Sequence, residues 1–165
     1  MDIQEIKKCI DEIKIEDLDK LKQIIMSRKH IIIIGNGGSN AISSHISQDY
    51  TKALGKKSIS FSDSSRLTCY MNDYGVENAY VKFIEHFSES ETTVILISSS
   101  GNSPNIVNAA QYCISRNIDM ITLSGFENDN KLNKLSDHSI IHFWVDSNDY
   151  GVVECTHEII LHSVI

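Results

Sequence analysis

Residues 30–39 constrain this chain more tightly than any other stretch. His30-Ile-Ile-Ile-Ile34 is a β-branched run with no polar alternation, and it ends directly in Gly35-Asn-Gly-Gly-Ser39. A strand that is apolar at successive positions is buried on both faces, as in a parallel sheet. The glycines behind it make a tight turn, and Ser39 suits the N-cap of a helix running to about Leu54. The unit then recurs in kind. Thr93-Val-Ile-Leu-Ile-Ser98 reads as a strand, Ser99–Ser103 as a turn, and Pro104–Arg116 as a helix with proline in its first turn.

The remaining segments fit the same alternation. Lys57–Ser62 is expected as a strand, followed by helical stretches over Ser64–Tyr70 and Val76–Phe87. Asp119–Ser124 is a further strand, Lys131–Leu135 a short helix, Ser139–Trp144 a last strand and Val152–Ile165 a last helix. Ahead of them, residues 2–28 place Ile3, Ile6, Ile10 and Ile13 on one helical face, then Leu18, Leu21 and Ile25 after a break near Ile15–Asp17. Apolar strands alternating with helices specify an α/β fold. The expectation is a three-layer sandwich, with a central parallel sheet of about five strands and helices on both faces. At 165 residues this is one domain, an N-terminal helical extension (1–29) on an α/β core (30–165). The pattern stops inside the last helix at Ile165, so either the natural chain continues or a partner subunit covers that end.

Composition narrows the partners. The formal net charge of −7 argues against a general nucleic-acid or anionic-membrane surface, since either requires a long-range positive field. The charged start Met1-Asp-Ile-Gln-Glu-Ile-Lys-Lys8 has no apolar signal region, and the longest apolar run, Ile31–Ile34, cannot span a bilayer. Cys9, Cys69, Cys113 and Cys155 are scattered, with no C-x-x-C pair, which reads as reduced thiols in a cytoplasm.

Chemistry concentrates in two loops. In an open parallel sheet, ligands bind outside the carboxyl ends of the strands. Gly35–Ser39 and Ser98-Ser-Ser-Gly-Asn-Ser103 both lead from such ends into helices. Helix N-termini and serine hydroxyls together hold an anion without lysine or arginine. Taken alone, the first loop is equally a plain strand-to-helix turn and the second a capping cluster; the two together favour a shared phosphate site. A dinucleotide fingerprint would need glycine where Asn40 stands, and neither a Gly-Lys-Ser/Thr triplet nor a G-x-S-x-G elbow occurs, so no nucleotide cofactor is expected.

Strand–GNGGS–helix, strand–SSSGNS–helix and the closing Val153-Glu-Cys-Thr-His157 resemble the sugar isomerase (SIS) domain, a flavodoxin-like fold, and within it the phosphoheptose isomerases. The resemblance runs from about His30 to Ile165 and takes in Ser62-Asp63, Asn72-Asp73-Tyr74-Gly75 and Thr122-Leu-Ser-Gly125. It implies phosphate contacts at Ser39, Ser98, Ser99, Ser100 and Ser103, and sugar contacts at Asn36, Gly37, Gly38 and Asp73. It implies acid/base roles for Asp49 and His162, with Glu154 near the reacting carbons. Some members bind zinc through positions that here are His45, Asp49, Glu154 and His162. The implied activity interconverts sedoheptulose 7-phosphate and D-glycero-D-manno-heptose 7-phosphate, in a homotetramer with sites at subunit interfaces, feeding heptose into surface polysaccharide. Non-catalytic SIS relatives, including a replication-initiation regulator, and isomerases of other phosphosugars are the alternatives.

The residue types suit that chemistry. Aldose–ketose isomerisation needs one group to move a proton between C1 and C2 and another to shuttle protons between the oxygens. His45 and Asp49 stand at i and i+4 on one helix face. Glu154 and His162 are eight residues apart, about 80° around a helix, whereas His157 lies about 60° to the other side of Glu154. Both histidines cannot face one site equally well; the resemblance gives the acid/base role to His162, which leaves His157 as an interface or hydrogen-bonding residue. Asp49 and Glu154 stand where the family has glutamate and glutamine. The first change retracts a carboxylate by about one methylene, and the second adds a charge beside the phosphate that invites a bound cation.

Overall fold

The computed structural model describes residues 1–165, and its order is that of alternating strands and helices. The strands are β1 (His30–Gly35), β2 (Lys57–Ser60), β3 (Thr92–Ser98), β4 (Asp119–Gly125) and β5 (Ile141–Val145). The helices are α1 (Ile3–Asp11), α2 (Ile15–Ser27), α3 (Gly38–Leu54), α4 (Ser64–Tyr74), α5 (Ala79–Phe87), α6 (Pro104–Arg116) and α7 (Tyr150–His162), with a 3-10 turn at Asn133–His138. All pairings are parallel, in the order β2-β1-β3-β4-β5. None of the helices is long and apolar enough to cross a membrane. All four cysteines are unpaired.

The isoleucine run of β1 explains the layers. Successive side chains of a strand point to opposite faces. Ile31 and Ile33 join a core with Leu21, Ile46, Tyr50 and Leu161, contributed by α2, α3 and α7. Ile32 and Ile34 join a second core with Tyr80, Phe83, Ile106 and Ala110, from α5 and α6. Each of the four is at most 2% exposed, so the run without alternation is a strand with no solvent face.

Several boundaries move, each for a local reason. α3 starts one turn-position early, because Gly37 at φ +54° is its N-cap and Ser39 already lies inside the helix. Only a residue without Cβ takes that φ comfortably. β2 stops at Ser60, before Asp63 caps α4 by accepting from the Arg66 N–H. α4 continues to Tyr74, so Asn72 and Asp73 are helical. α7 begins at Tyr150 behind the Asp149 cap and ends at His162.

The strand order places a topological switch between β1 and β3. From β1 the chain proceeds outward to β2, and from β3 it proceeds the other way to β4 and β5. The following helices, α3 and α6, consequently pack on opposite faces and open a crevice above the sheet, where ligands bind in such folds. Register keeps that rim level, with Gly35 opposite Ile97 and Ser98 opposite Ser124.

Candidate active site

The crevice holds a cavity of about 320 Å³ lined by both loops: Asn36, Gly37, Gly38 and Ser39 from one side, Ile97, Ser98, Ser99, Ser100 and Ser103 from the other, with Tyr150 and Glu154 of α7 as a wall. Its polar groups are poised for an anion. α1, α4 and α7 are each capped by an aspartate side chain, but the N-caps of α3 and α6, Gly37 and Ser103, make no side-chain capping bond. α2 and α5 are uncapped as well, but the N-termini of α3 and α6 are the uncapped ones that open on the cavity, free to receive a ligand anion. Ser99 Oγ is buried without a partner, and Ser98 and Ser103 hydroxyls lie 3.5 Å apart.

Glu154 is the one acid in this lining. Burial pushes its carboxyl above the usual value. The carboxylate lies against the backbone of Gly38, where a Cβ would fall onto it. Gly38→Ala is therefore expected to fold normally, since the obstructing atoms are the end of a flexible side chain, while driving Glu154 out of the cavity wall. Thermal melting should change little, and ligand affinity should drop by about tenfold; unchanged affinity would show that Glu154 does not shape the site.

A second cluster lies further along α3. His45 Nε2 and His162 Nε2 each stand 3.4 Å from Asp49 Oδ2, with the two rings 5.2 Å apart. The ligand atoms of His45, Asp49 and His162 lie within 4.8 Å of one another, close enough for one metal ion. His162 is also oriented. Its Nδ1 is 3.0 Å from the Glu158 carbonyl, which only accepts, so Nδ1 carries the proton and Nε2 turns a lone pair toward Asp49. A lone pair facing a carboxylate calls for a cation between them, either a proton on the imidazole or a metal, and a backbone-bound Nδ1–H is the usual support of a ligating histidine. Tyr50 locks the pair together: its buried hydroxyl donates to the Leu161 carbonyl at 2.8 Å, joining α3 to α7 one residue from Asp49 and from His162.

Not every residue singled out in the sequence meets here. Glu154 stands apart from the histidine–aspartate trio, because eight residues of helix separate it from His162 by about 12 Å of axial rise as well as by angle. Asp73 is exposed near the end of α4, where it accepts from Asn72 and from the Cys69 thiol, and it does not line the cavity. His157 points into the protein, fully buried, with Nε2 3.0 Å from the Ser124 carbonyl. Tyr150, which no sequence motif marked, forms part of the cavity wall and meets Phe126 edge-on at 4.8 Å between ring centres.

Comparison with known proteins identifies the family and the fold. The SIS domain model matches residues 3–125, a stretch that includes both N-terminal helices and both anion loops. This chain belongs to the SIS-domain family. Among curated SIS relatives, it is 33% identical over 151 residues to the phosphoheptose isomerase of Fusobacterium nucleatum, covering 88% of this chain and 76% of that one. It is 34% identical over 139 residues to the phosphoheptose isomerase of Buchnera aphidicola, covering 79% and 72%. The fold superimposes on the phosphoheptose isomerase of Neisseria gonorrhoeae with a TM-score of 0.82 at 23% identity, over 96% of this chain and 88% of that one. The SIS model match ends at Gly125, so Glu154 and His162 lie on a helix outside it.

Proposed function

We propose that this protein is an aldose–ketose isomerase that interconverts sedoheptulose 7-phosphate and D-glycero-D-manno-heptose 7-phosphate. The observation that carries the reading is the pairing, along one helix, of an uncapped anion cavity with an acid/base cluster. Ser39 opens α3 at the cavity, and His45 and Asp49 follow about 9 and 15 Å along its axis. Helical side chains lean toward the N-terminus, which brings both back toward the cavity. Such a layout suits a long sugar phosphate held at its phosphate end with its carbonyl end near Asp49 and His162.

In this reading the serine hydroxyls and the free N–H groups of α3 and α6 hold the phosphate. Asp49 and His162 then divide the proton work: one takes and returns the proton exchanged between C1 and C2, the other passes a proton between the two oxygens. His45, Asp49 and His162 suit Zn²⁺ in donor type, and a bound Zn²⁺ would polarise the substrate oxygens on which the proton transfers act. Glu154 fits better as a wall of the sugar site than as a fourth ligand.

The wider setting proposed for this chain, a cytoplasmic homotetramer supplying heptose for surface polysaccharide, rests on the sequence resemblance to the phosphoheptose isomerases. Exposed apolar side chains such as Ile3, Ile15, Ile159 and Ile165 support association, and a shared site would give the exposed Asp73 a role at a neighbouring subunit. The test is turnover of sedoheptulose 7-phosphate by purified protein before chelation, after chelation and after Zn²⁺ is restored. Turnover that falls on chelation and returns with Zn²⁺ is expected. Binding of the sugar phosphate without turnover at any metal level would overturn the isomerase reading and leave a phosphosugar-binding protein.

A further inference from the structure

The two loops framing the cavity are tied together by an amide pair to which the proposed chemistry assigns no task. Asn36 follows β1 directly, and Asn105 is the second residue of α6. Asn36 Nδ2 donates to Asn105 Oδ1 at 2.9 Å, and Asn105 Nδ2 donates back to Asn36 Oδ1 at 3.0 Å. The orientation of both amides is determined by the backbone. The Ile106 N–H, which can only donate, reaches Asn105 Oδ1 at 3.0 Å, so the NH₂ of Asn105 must face Asn36. On the other side the Tyr80 hydroxyl stands 2.8 Å from both Asn36 Oδ1 and the Gly35 carbonyl.

Counting donors and acceptors shows what remains. Asn36 Oδ1 accepts from Asn105 and shares the single Tyr80 O–H with the Gly35 carbonyl, and one of its two N–H bonds goes to Asn105. Asn36 is left with a single uncommitted N–H, on a side chain that lines the cavity. Asn105 and Tyr80 are buried, at 5% and 1% exposure, and so cannot trade these bonds for water. The chain leaves β1 and β3 toward opposite faces of the sheet, and the amide pair spans the crevice between the departing loops.

We propose that Asn105 is a positioning residue: together with Tyr80 it aims the free N–H of Asn36 at the bound sugar phosphate and holds the Gly35–Ser39 loop at a set distance from the Ser98–Ser103 loop. The proposal rests on the phosphosugar reading for its ligand. It differs from a plain capping role for Asn105 in one respect, since positioning requires Asn36 to be present.

A double-mutant cycle tests that dependence. Wild type, N36A, N105A and N36A/N105A are compared for kcat and KM on sedoheptulose 7-phosphate, for its dissociation constant by calorimetry, and for Tm. The expected result for N105A is a KM and dissociation constant raised about tenfold with little change in kcat, and a further change of no more than about twofold when it is added to N36A. An equal loss in both backgrounds, or no loss in either, would overturn the proposal. N105S, which also lacks an amide, replaces N105A if the alanine variant does not fold. If wild type binds the sugar phosphate without turning it over, the isomerase reading fails while the calorimetric cycle still decides the role of Asn105. If wild type turns over but the losses add, only the positioning role falls.

Discussion

Asp49→Asn is expected to lower kcat on sedoheptulose 7-phosphate by roughly a thousandfold, the range in which a positioned acid or base acts, with far less effect on KM. Asp49 is the shared partner of His45 and His162, 3.4 Å from each, so one carboxylate connects the whole cluster. Asparagine keeps its volume and can still meet a ring nitrogen, but it neither accepts a proton nor balances an imidazolium. The fold around it should persist, because α3 and α7 stay joined by the Tyr50–Leu161 bond and by the core containing Ile46, Ile160 and Leu161. His162→Ala should fall to a similar level. Because the reaction needs both proton transfers and the two residues work as a unit, the double variant should be little slower than either single one. Steady-state kinetics with matched metal content measures all three. A D49N enzyme that keeps more than about a tenth of wild-type kcat would remove Asp49 from the proton path.

The order of strands and helices was legible because burial on both faces leaves a mark that local context cannot erase: four adjacent isoleucines admit no exposed side. The anion loops were legible for a related reason, since glycines and serines after a strand solve a backbone problem visible in one dimension. His45 and Asp49 came together as i, i+4 geometry requires. What the sequence concealed depends on contacts between distant segments. The pairing of Asn36 with Asn105 joins residues 69 apart, and no spacing rule relates them. Tyr150 reads as an ordinary helix-start residue until α7 is laid across the crevice. Helical angle alone let Glu154 converge with His162; the axial rise, which angle ignores, separates them and leaves Glu154 by the serine loops. The misplaced cap of α3 has a backbone cause, as the positive φ of Gly37 starts the helix before Ser39 can cap it.

Acidification should destabilise this protein in a window set by His157. The ring is fully buried, its Nδ1 has no partner, and its Nε2 donates to the Ser124 carbonyl, so the native state holds it neutral. Burial lowers its pKa to about 4, against an ordinary value of 6.5, and the bond to Ser124 opposes only part of that. Between those values the unfolded chain binds a proton that the native chain refuses. Stability therefore falls as pH drops through 6.5 and the loss is complete near 4, where it reaches about 3 kcal/mol. Glu154, held above its usual value by burial, adds an opposing slope, while Glu85, held low by Lys82, and two aspartates contribute elsewhere. Asp63, held low by the Arg66 N–H, and Asp149, held low by the terminal ammonium and the Val152 N–H, lose their native advantage only as pH falls through and below the usual carboxylate range. His157→Gln, which cannot titrate, should be less stable at neutral pH yet show a nearly flat unfolding free energy from pH 6.5 to 4. Denaturant titrations at half-unit pH steps compare the slopes. The site itself should not feel His157 across this window, because the native ring stays neutral until about pH 4. Only below it would a charge on the ring strain the Ser124 contact, and Gly125, next to Ser124, donates its N–H to the Ser99 carbonyl at 2.9 Å in the second anion loop. Equal slopes of unfolding free energy in the two proteins would show that His157 does not carry the effect.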